Sequence, residues 1–150
     1  MDKGYNFDTA RREDQLKQMR DLAARGVCAF CRENIEAEMR EPIELETDHW
    51  VVKKNDYPYE RTKLHLLLIP KEHVNTLSKL SPASRHDLID TIVQAENKWS
   101  LTSYAVGIRS GDMRYNGGSV EHLHAHIIVG DTDDPNHEPV RFKVSSRPSK

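Results

Sequence analysis

The sequence predicts an α+β domain built on an antiparallel sheet, and three observations carry that reading. Two stretches with helical spacing, residues 9 to 25 and 82 to 99, are separated by three strand-like runs and followed by two more, giving the order α, β-β-β, α, β-β. The strand-like runs are short, rich in aliphatic and β-branched residues, and bounded by Pro, Gly, Asn and Asp. The chain has 150 residues, the length of one domain, with no internal repeat or low-complexity linker to divide it.

Each element has a local reason. Leu16, Met19, Leu22 and Ala23 form the apolar stripe of the first helix, and Gly26 stops it because glycine accepts a left-handed helix end. CAFC, residues 28 to 31, follows as a tight turn. IELE and HWVVK read as strands, NDYPY as a proline turn, and LHLLLIP as a nearly continuous apolar run of strand length. Ser81 and Pro82 open the second helix as N-cap and first helical residue, and Leu88, Ile89, Ile92, Val93 and Trp99 keep helical spacing. SYAVGIR is a strand, RSGDMRYNGGS a glycine-rich loop, and EHLHAHIIV the histidine strand. VRFKV closes a single domain spanning 1–150, whose residues 1–8 and 145–150 are expected to fray.

Composition excludes several classes. Twenty-two basic against twenty-four acidic residues give a net charge of −2, so no general attraction to nucleic acid is expected. The opening MDKGYNFDTARREDQ lacks the apolar core of a secretory signal, and no apolar run approaches the ~18 residues that span a bilayer. A cytoplasmic location without a membrane partner is the expectation. There, two cysteines three positions apart favour a metal or redox role over a disulfide.

The chemistry concentrates near the end of the chain. His122, His124 and His126 alternate, so on a strand they share one face while Leu123, Ala125 and Ile127 share the other. Three such imidazoles can hold a metal, attack and transfer protons, or line a wet surface. A neutral imidazole, with an ordinary pKa of about 6.5, keeps a lone pair at pH 7 for attack on phosphorus. A neighbour on the same face can protonate the leaving group. Directly upstream, Asn116-Gly117-Gly118-Ser119 can turn backbone N–H groups towards an anion. Cys28 and Cys31 offer two thiolates to a zinc ion that takes four ligands, and His73, just past a strand end, and His122 are the available partners. A redox CxxC pair and a catalytic zinc held by all three histidines stand as alternatives to these assignments.

HLHAHII resembles the His-φ-His-φ-His-φ-φ signature of the histidine triad (HIT) superfamily. The likeness spans residues 28 to 130: CAFC resembles the CxFC opening of many members, and NDYPY with HLLLIPKEHV resembles their first nucleotide-binding segment. GGSVEHLHAH is similar to the loop and triad of the dinucleoside polyphosphate phosphorylase-like branch. The resemblance implies a HIT-like antiparallel sheet of about five strands with two main helices. It further implies a nucleotide hydrolase or nucleotidyltransferase acting at the α-phosphate of a nucleoside phosphate ester, anhydride or phosphoramidate. The route would be a covalent nucleotidyl-histidine, with His124 as nucleophile, His126 at the leaving group and Ser119 beside the phosphates. Asn55, His65, Asn116, Gly117, Gly118 and Ser119 would form the nucleotide site, for an adenosine-type substrate, with His65 supporting the triad. Structural Zn2+ would sit on Cys28, Cys31, His73 and His122, with no catalytic metal, in a homodimer that pairs a helix and a strand across a two-fold axis. Gly118 stands where many members have glutamine, and the YERTKL linker is longer than usual. The rival readings are a catalytically idle nucleotide-binding protein of the same fold, and a CxxC metal or redox protein. If His124 attacks, kcat/KM should fall below about pH 6.5.

Overall fold

Five strands form one antiparallel sheet in the computed structural model, which describes residues 4–147. They are β1 (Ile43–Glu46), β2 (Trp50–Lys54), β3 (Thr62–Pro70), β4 (Ala105–Ile108) and β5 (Ala125–Gly130), in the spatial order β1-β2-β3-β5-β4. Strand β3 is central and explains the unbroken LLLI run. Alternation sends Leu66 and Leu68 to one face, where they meet Trp50, Val52 and Ile127 under Leu88, Ile92 and Ala95 of helix α3 (Pro82–Lys98). Leu67 and Ile69 go to the other face, against Val51, Phe30 and Ile35 under Met19, Leu22 and Ala23 of helix α1 (Glu13–Arg25). A strand covered on both faces has no polar side to display.

The helices differ from expectation mainly at their edges. Helix α1 begins at Glu13 rather than at residue 9, because Phe7–Thr9 instead form a 3-10 turn capped by Asn6, whose Oδ1 accepts from the Asp8 N–H. It ends as expected at Gly26, with φ 68°. Ser81 caps α3 by accepting from the Ser84 N–H, and Trp50 Nε1 donates to the Ser84 carbonyl at 2.8 Å, pinning the helix to the sheet. Ile89 and Val93, which keep the helical spacing, are 62% and 45% exposed. Two single turns, α2 (Ile35–Glu38) and α4 (Met113–Asn116), complete the helices; α4 lies inside the segment read as a loop.

Strand β5 starts at Ala125, so His122 and His124 precede it rather than lying within it. The alternation nevertheless holds, since Leu123, Ala125 and Ile127 all enter the α3-side core. Where they are described, the two ends make contacts with the body of the domain. Tyr5 is 2% exposed, bridges to Val120 and donates its hydroxyl to the Val27 carbonyl. Asn6 Nδ2 donates to Ser146 Oγ, and the Ser146 N–H donates to the Arg114 carbonyl. The remaining positions expected to fray, 1–3 and 148–150, lie outside the described residues. VRFKV forms no strand but lies across the body of the domain. Among the described residues, no helix is long and apolar enough to cross a membrane.

Candidate functional site: a divided histidine triad

The three triad histidines are all buried, but each faces different partners. His122, 1% exposed, has its Nε2 2.9 Å from the Pro70 carbonyl oxygen. A carbonyl only accepts, so Nε2 carries the proton and Nδ1 the lone pair. That lone pair meets His73 Nδ1 at 3.1 Å, Cys28 Sγ at 3.5 Å and Cys31 Sγ at 3.8 Å, and Cys31 Sγ lies 3.2 Å from His73 Nδ1. All four ligand atoms fall within 4.8 Å of one another. Zinc bonds of ~2.0–2.3 Å at tetrahedral angles place ligands roughly 3.3–3.8 Å apart, so this donor set fits that ion. Burial lowers the His122 pKa to about 4, which keeps the imidazole neutral. Burial and the neighbouring Cys28 push the Cys31 thiol up to about 12, a penalty that a bound dication would reverse.

His124 turns its Nδ1 to the His122 carbonyl oxygen at 2.8 Å. The same reasoning puts the proton on Nδ1 and leaves Nε2 with a free lone pair. The ring is 7% exposed and packs edge-on against Phe30, with centroids 4.9 Å apart. Burial lowers its pKa to about 4, so the neutral ring predominates at pH 7.

His126 is set through a relay. The Tyr59 N–H donates to His65 Nδ1 at 3.1 Å, so His65 holds its proton on Nε2 and donates it to His126 Nδ1 at 2.8 Å. His126 Nε2 is thereby an N–H. Arg109 Nη1 lies 3.3 Å from that same nitrogen and donates to the Tyr59 hydroxyl at 2.6 Å. Two donors therefore converge beside His126, an arrangement that an oxyanion between them would satisfy. Tyr59 stacks on the ring, and Phe142 meets it edge-on. Burial holds both His65, at about 3, and His126 below the ordinary histidine range.

A cavity of about 70 Å³ touches His124 and His126 and is lined by Met19, Phe30, Asn55 and Ser119. A larger one, about 680 Å³, shares Ser119, Tyr59, Arg11 and Arg109 with it. Asn55 is where the sequence places it, although its Oδ1 also accepts from the Tyr57 N–H. His65 lines neither cavity; its Nε2 faces His126 Nδ1. The amides of the glycine loop are engaged locally. The amides of Asn116, Gly117 and Gly118 donate to Asp112 O, Met113 O and Asn116 Oδ1, because one helical turn and its cap consume them. Of that loop, Ser119 is the residue that reaches both cavities, with its hydroxyl 2.7 Å from Thr9 Oγ1. Tyr59, Arg109 and Phe142 were not anticipated. Tyr59 closes the proline turn NDYPY and Arg109 follows β4, but only the Gly107–His126 strand pairing shows that the latter ends beside the triad.

An alternating triad at the lip of a cavity, on a five-stranded antiparallel sheet between two helices, defines a histidine triad fold. The HIT domain model matches residues 36–133, and the chain belongs to that family. Among solved structures it is similar to a HIT family hydrolase from Clostridium thermocellum, at 25% identity over 75% of this chain and 96% of that one, with a TM-score of 0.55. A hypothetical protein from Leishmania major is 24% identical over 81% and 85% of the two chains, with a TM-score of 0.58. A zinc-bound histidine triad family protein from Mycobacterium smegmatis is 20% identical over 76% and 81%, with a TM-score of 0.54. Among curated proteins, none matches this chain.

Proposed function

We propose that this protein is a nucleotide hydrolase or nucleotidyltransferase that works through a covalent nucleotidyl-His124. The observation that carries the reading is the His124 Nδ1 contact with the His122 carbonyl, which leaves Nε2 as a neutral nucleophile. Nε2 bonds to the α-phosphorus while the bond from phosphorus to the leaving oxygen or nitrogen breaks. His126 Nε2–H donates a hydrogen bond to that departing atom, which leaves as an anion or takes its proton from solvent water, and Arg109 stabilises the charge on the phosphoryl oxygens. Water or phosphate then attacks the phosphorus, releases the nucleotide and restores His124. Asn55 and Ser119, in the cavity lining, would contact ribose and phosphate, and Met19 and Phe30 would offer an apolar wall to a base such as adenine. The four donors around His122 fit a structural zinc, whose contribution when bound is to tie the CAFC turn to the start of the triad.

A homodimer belongs to the same proposal. Ile89 and Val93 on α3 and Val106 on edge strand β4 are exposed, and Val106 shares a sheet face with Ile108, which packs on the α3-side core. Ile89→Asp combined with Val106→Asp should convert a dimer to a monomer in sedimentation equilibrium; a wild-type monomer would dismiss the arrangement. The catalytic proposal is tested by mixing the protein with a ³²P-labelled adenosine phosphoramidate and quenching in base. A base-stable, acid-labile label on His124 supports it. Tight binding without label or turnover would favour the idle nucleotide-binding reading.

A further inference from the structure

Gly107 stands directly opposite His126 in the pairing of β4 with β5, so the two residues share a face of the sheet. Glycine offers no side chain there, and a ring from the C-terminal segment fills the place. A Cβ on Gly107 would lie 2.7 Å from Cε2 of Phe142 and 2.8 Å from its Cζ, closer than carbon atoms pack. The Phe142 ring meets His126 edge-on, with centroids 5.6 Å apart and planes at 84°. A distant segment thus supplies the cross-strand neighbour of the third triad histidine.

The same ring carries Arg109, whose guanidinium lies 3.8 Å over its centroid. Nε and Nη2 donate to the Lys143 carbonyl at 3.0 and 2.8 Å. That leaves Nη1 to donate to the Tyr59 hydroxyl at 2.6 Å and to face His126 Nε2 at 3.3 Å. The Lys143 carbonyl is seated in turn by Gly117, where a Cβ would lie 2.7 Å from that oxygen. Among the described residues, Arg109 has no carboxylate partner. A carboxylate would hold the guanidinium firmly but would also neutralise it. A ring, a carbonyl and a hydroxyl fix its place and leave its charge uncancelled.

We infer that Phe142 is a positioning residue: its ring, seated in the Gly107 notch, aims the Arg109 guanidinium at the phosphoryl group beside His126. This rests on the nucleotidyl-transfer reading, in which Arg109 meets the phosphoryl oxygens, and it adds to that site a residue that acts through another. The cation is held from outside the sheet, by an aromatic face instead of an ion pair.

Phe142→Ala, Phe142→Leu and Gly107→Ala separate positioning from simple filling of space. With an adenosine phosphoramidate, Phe142→Ala should lower kcat by about tenfold to a hundredfold while KM changes by less than about threefold, as for an interaction made in the transition state. Phe142→Leu keeps apolar bulk but no aromatic face, so its kcat should fall nearly as far. Gly107→Ala should reproduce the loss alone and add less than about twofold to Phe142→Ala, because both changes act on one contact. Val144→Ala, at an exposed position of the same segment, should match wild type. The Arg109 Nε–H, identified in 1H–15N spectra by its disappearance in Arg109→Lys, should stand apart from the bulk arginine signals. It should rejoin them in Phe142→Ala and in Phe142→Leu. Wild-type kcat in Phe142→Leu would reduce the ring to a filler and overturn the inference. So would an Arg109 signal indifferent to Phe142, a loss confined to KM, or a Gly107→Ala cost that adds in full to Phe142→Ala. If the wild-type protein labels no histidine and turns nothing over, the spectra alone decide the placement of Arg109, and only the nucleotidyl-transfer reading falls.

Discussion

His122 and His126 are the two ends of one alternation, equally buried and four residues apart, yet their surroundings assign them opposite tasks. His122 spends its N–H on the Pro70 carbonyl and points a lone pair at two thiols and a second imidazole. His126 receives a proton from His65 and points an N–H at the space beside Arg109. One end is an acceptor suited to a cation, and the other is a donor suited to an anion. Between them, His124 takes its orientation from the His122 backbone, and in the proposed mechanism its leaving group would meet His126. The residue type is the same at all three positions. What differs is the group that holds the second nitrogen.

The largest expected effect falls at the middle of that comparison. His124→Ala should lower turnover by roughly four orders of magnitude or more, because the nucleophile cannot be replaced by its neighbours. Nucleotide affinity should change little, since Asn55, Ser119 and Arg109 are untouched. Turnover within tenfold of wild type, by this variant freed of contaminating enzyme, would move the nucleophile elsewhere.

The metal end should break differently. Elemental analysis should find one zinc per chain on Cys28, Cys31, His73 and His122. Cys28→Ser should remove about 3 kcal/mol of stability or more, roughly 6–12 °C in Tm for a chain this size. Its kcat at 25 °C should change far less than in His124→Ala if the ion anchors the His122 ring, as proposed, and does not activate the nucleophile. A chelated protein that keeps its Tm, or loses turnover at once and regains it on adding zinc, would merge the two ends into a single metal-dependent centre.

How far the sequence carried these assignments follows from which contacts were local. Alternation alone placed Leu123, Ala125 and Ile127 in the core and the histidines opposite them. The unsatisfied demand of two thiolates for two further ligands pointed to His73 and His122 before any geometry. The hairpins β1-β2-β3 were readable because neighbouring strands were joined by short turns. The insertion of β5 between β3 and β4 was not, and with it went Arg109, which reaches His126 only through that pairing. Gly117 and Gly118 looked like an anion nest. The helical turn that absorbs their amides depends on Asp112 capping Met113–Asn116, a competing use of the same residues. The segment after residue 138 carries a strand-like alternation, VRFKV, yet pairs with no strand. It holds its place through glycine notches and one arginine, none of which local sequence displays.

The smallest effect, and the one that probes both ends at once, is the response to acid. An ordinary histidine would place the acid limb of kcat/KM near pH 6.5, but burial takes His124 down to about 4. A cation on His122 would push it lower still, in the same direction. The rate should therefore stay nearly level from pH 7 to pH 5. Stability should not. His65 has a folded pKa of about 3, against about 6.5 in the unfolded chain, so below pH 6.5 the unfolded state takes up a proton that the native state refuses. A group depressed in this way contributes its full share above pH 6.5 and loses it progressively as pH falls towards 3. The urea midpoint should accordingly decline between pH 6.5 and 4.5 while kcat/KM holds. His65→Asn should start from a lower midpoint at pH 7 and decline less steeply, because one buried neutral imidazole has been removed from the linkage. A rate and a midpoint that fall together from pH 6.5 in the wild type would show that His124 titrates as an exposed histidine does. In that case the neutral nucleophile at the centre of the comparison would not survive.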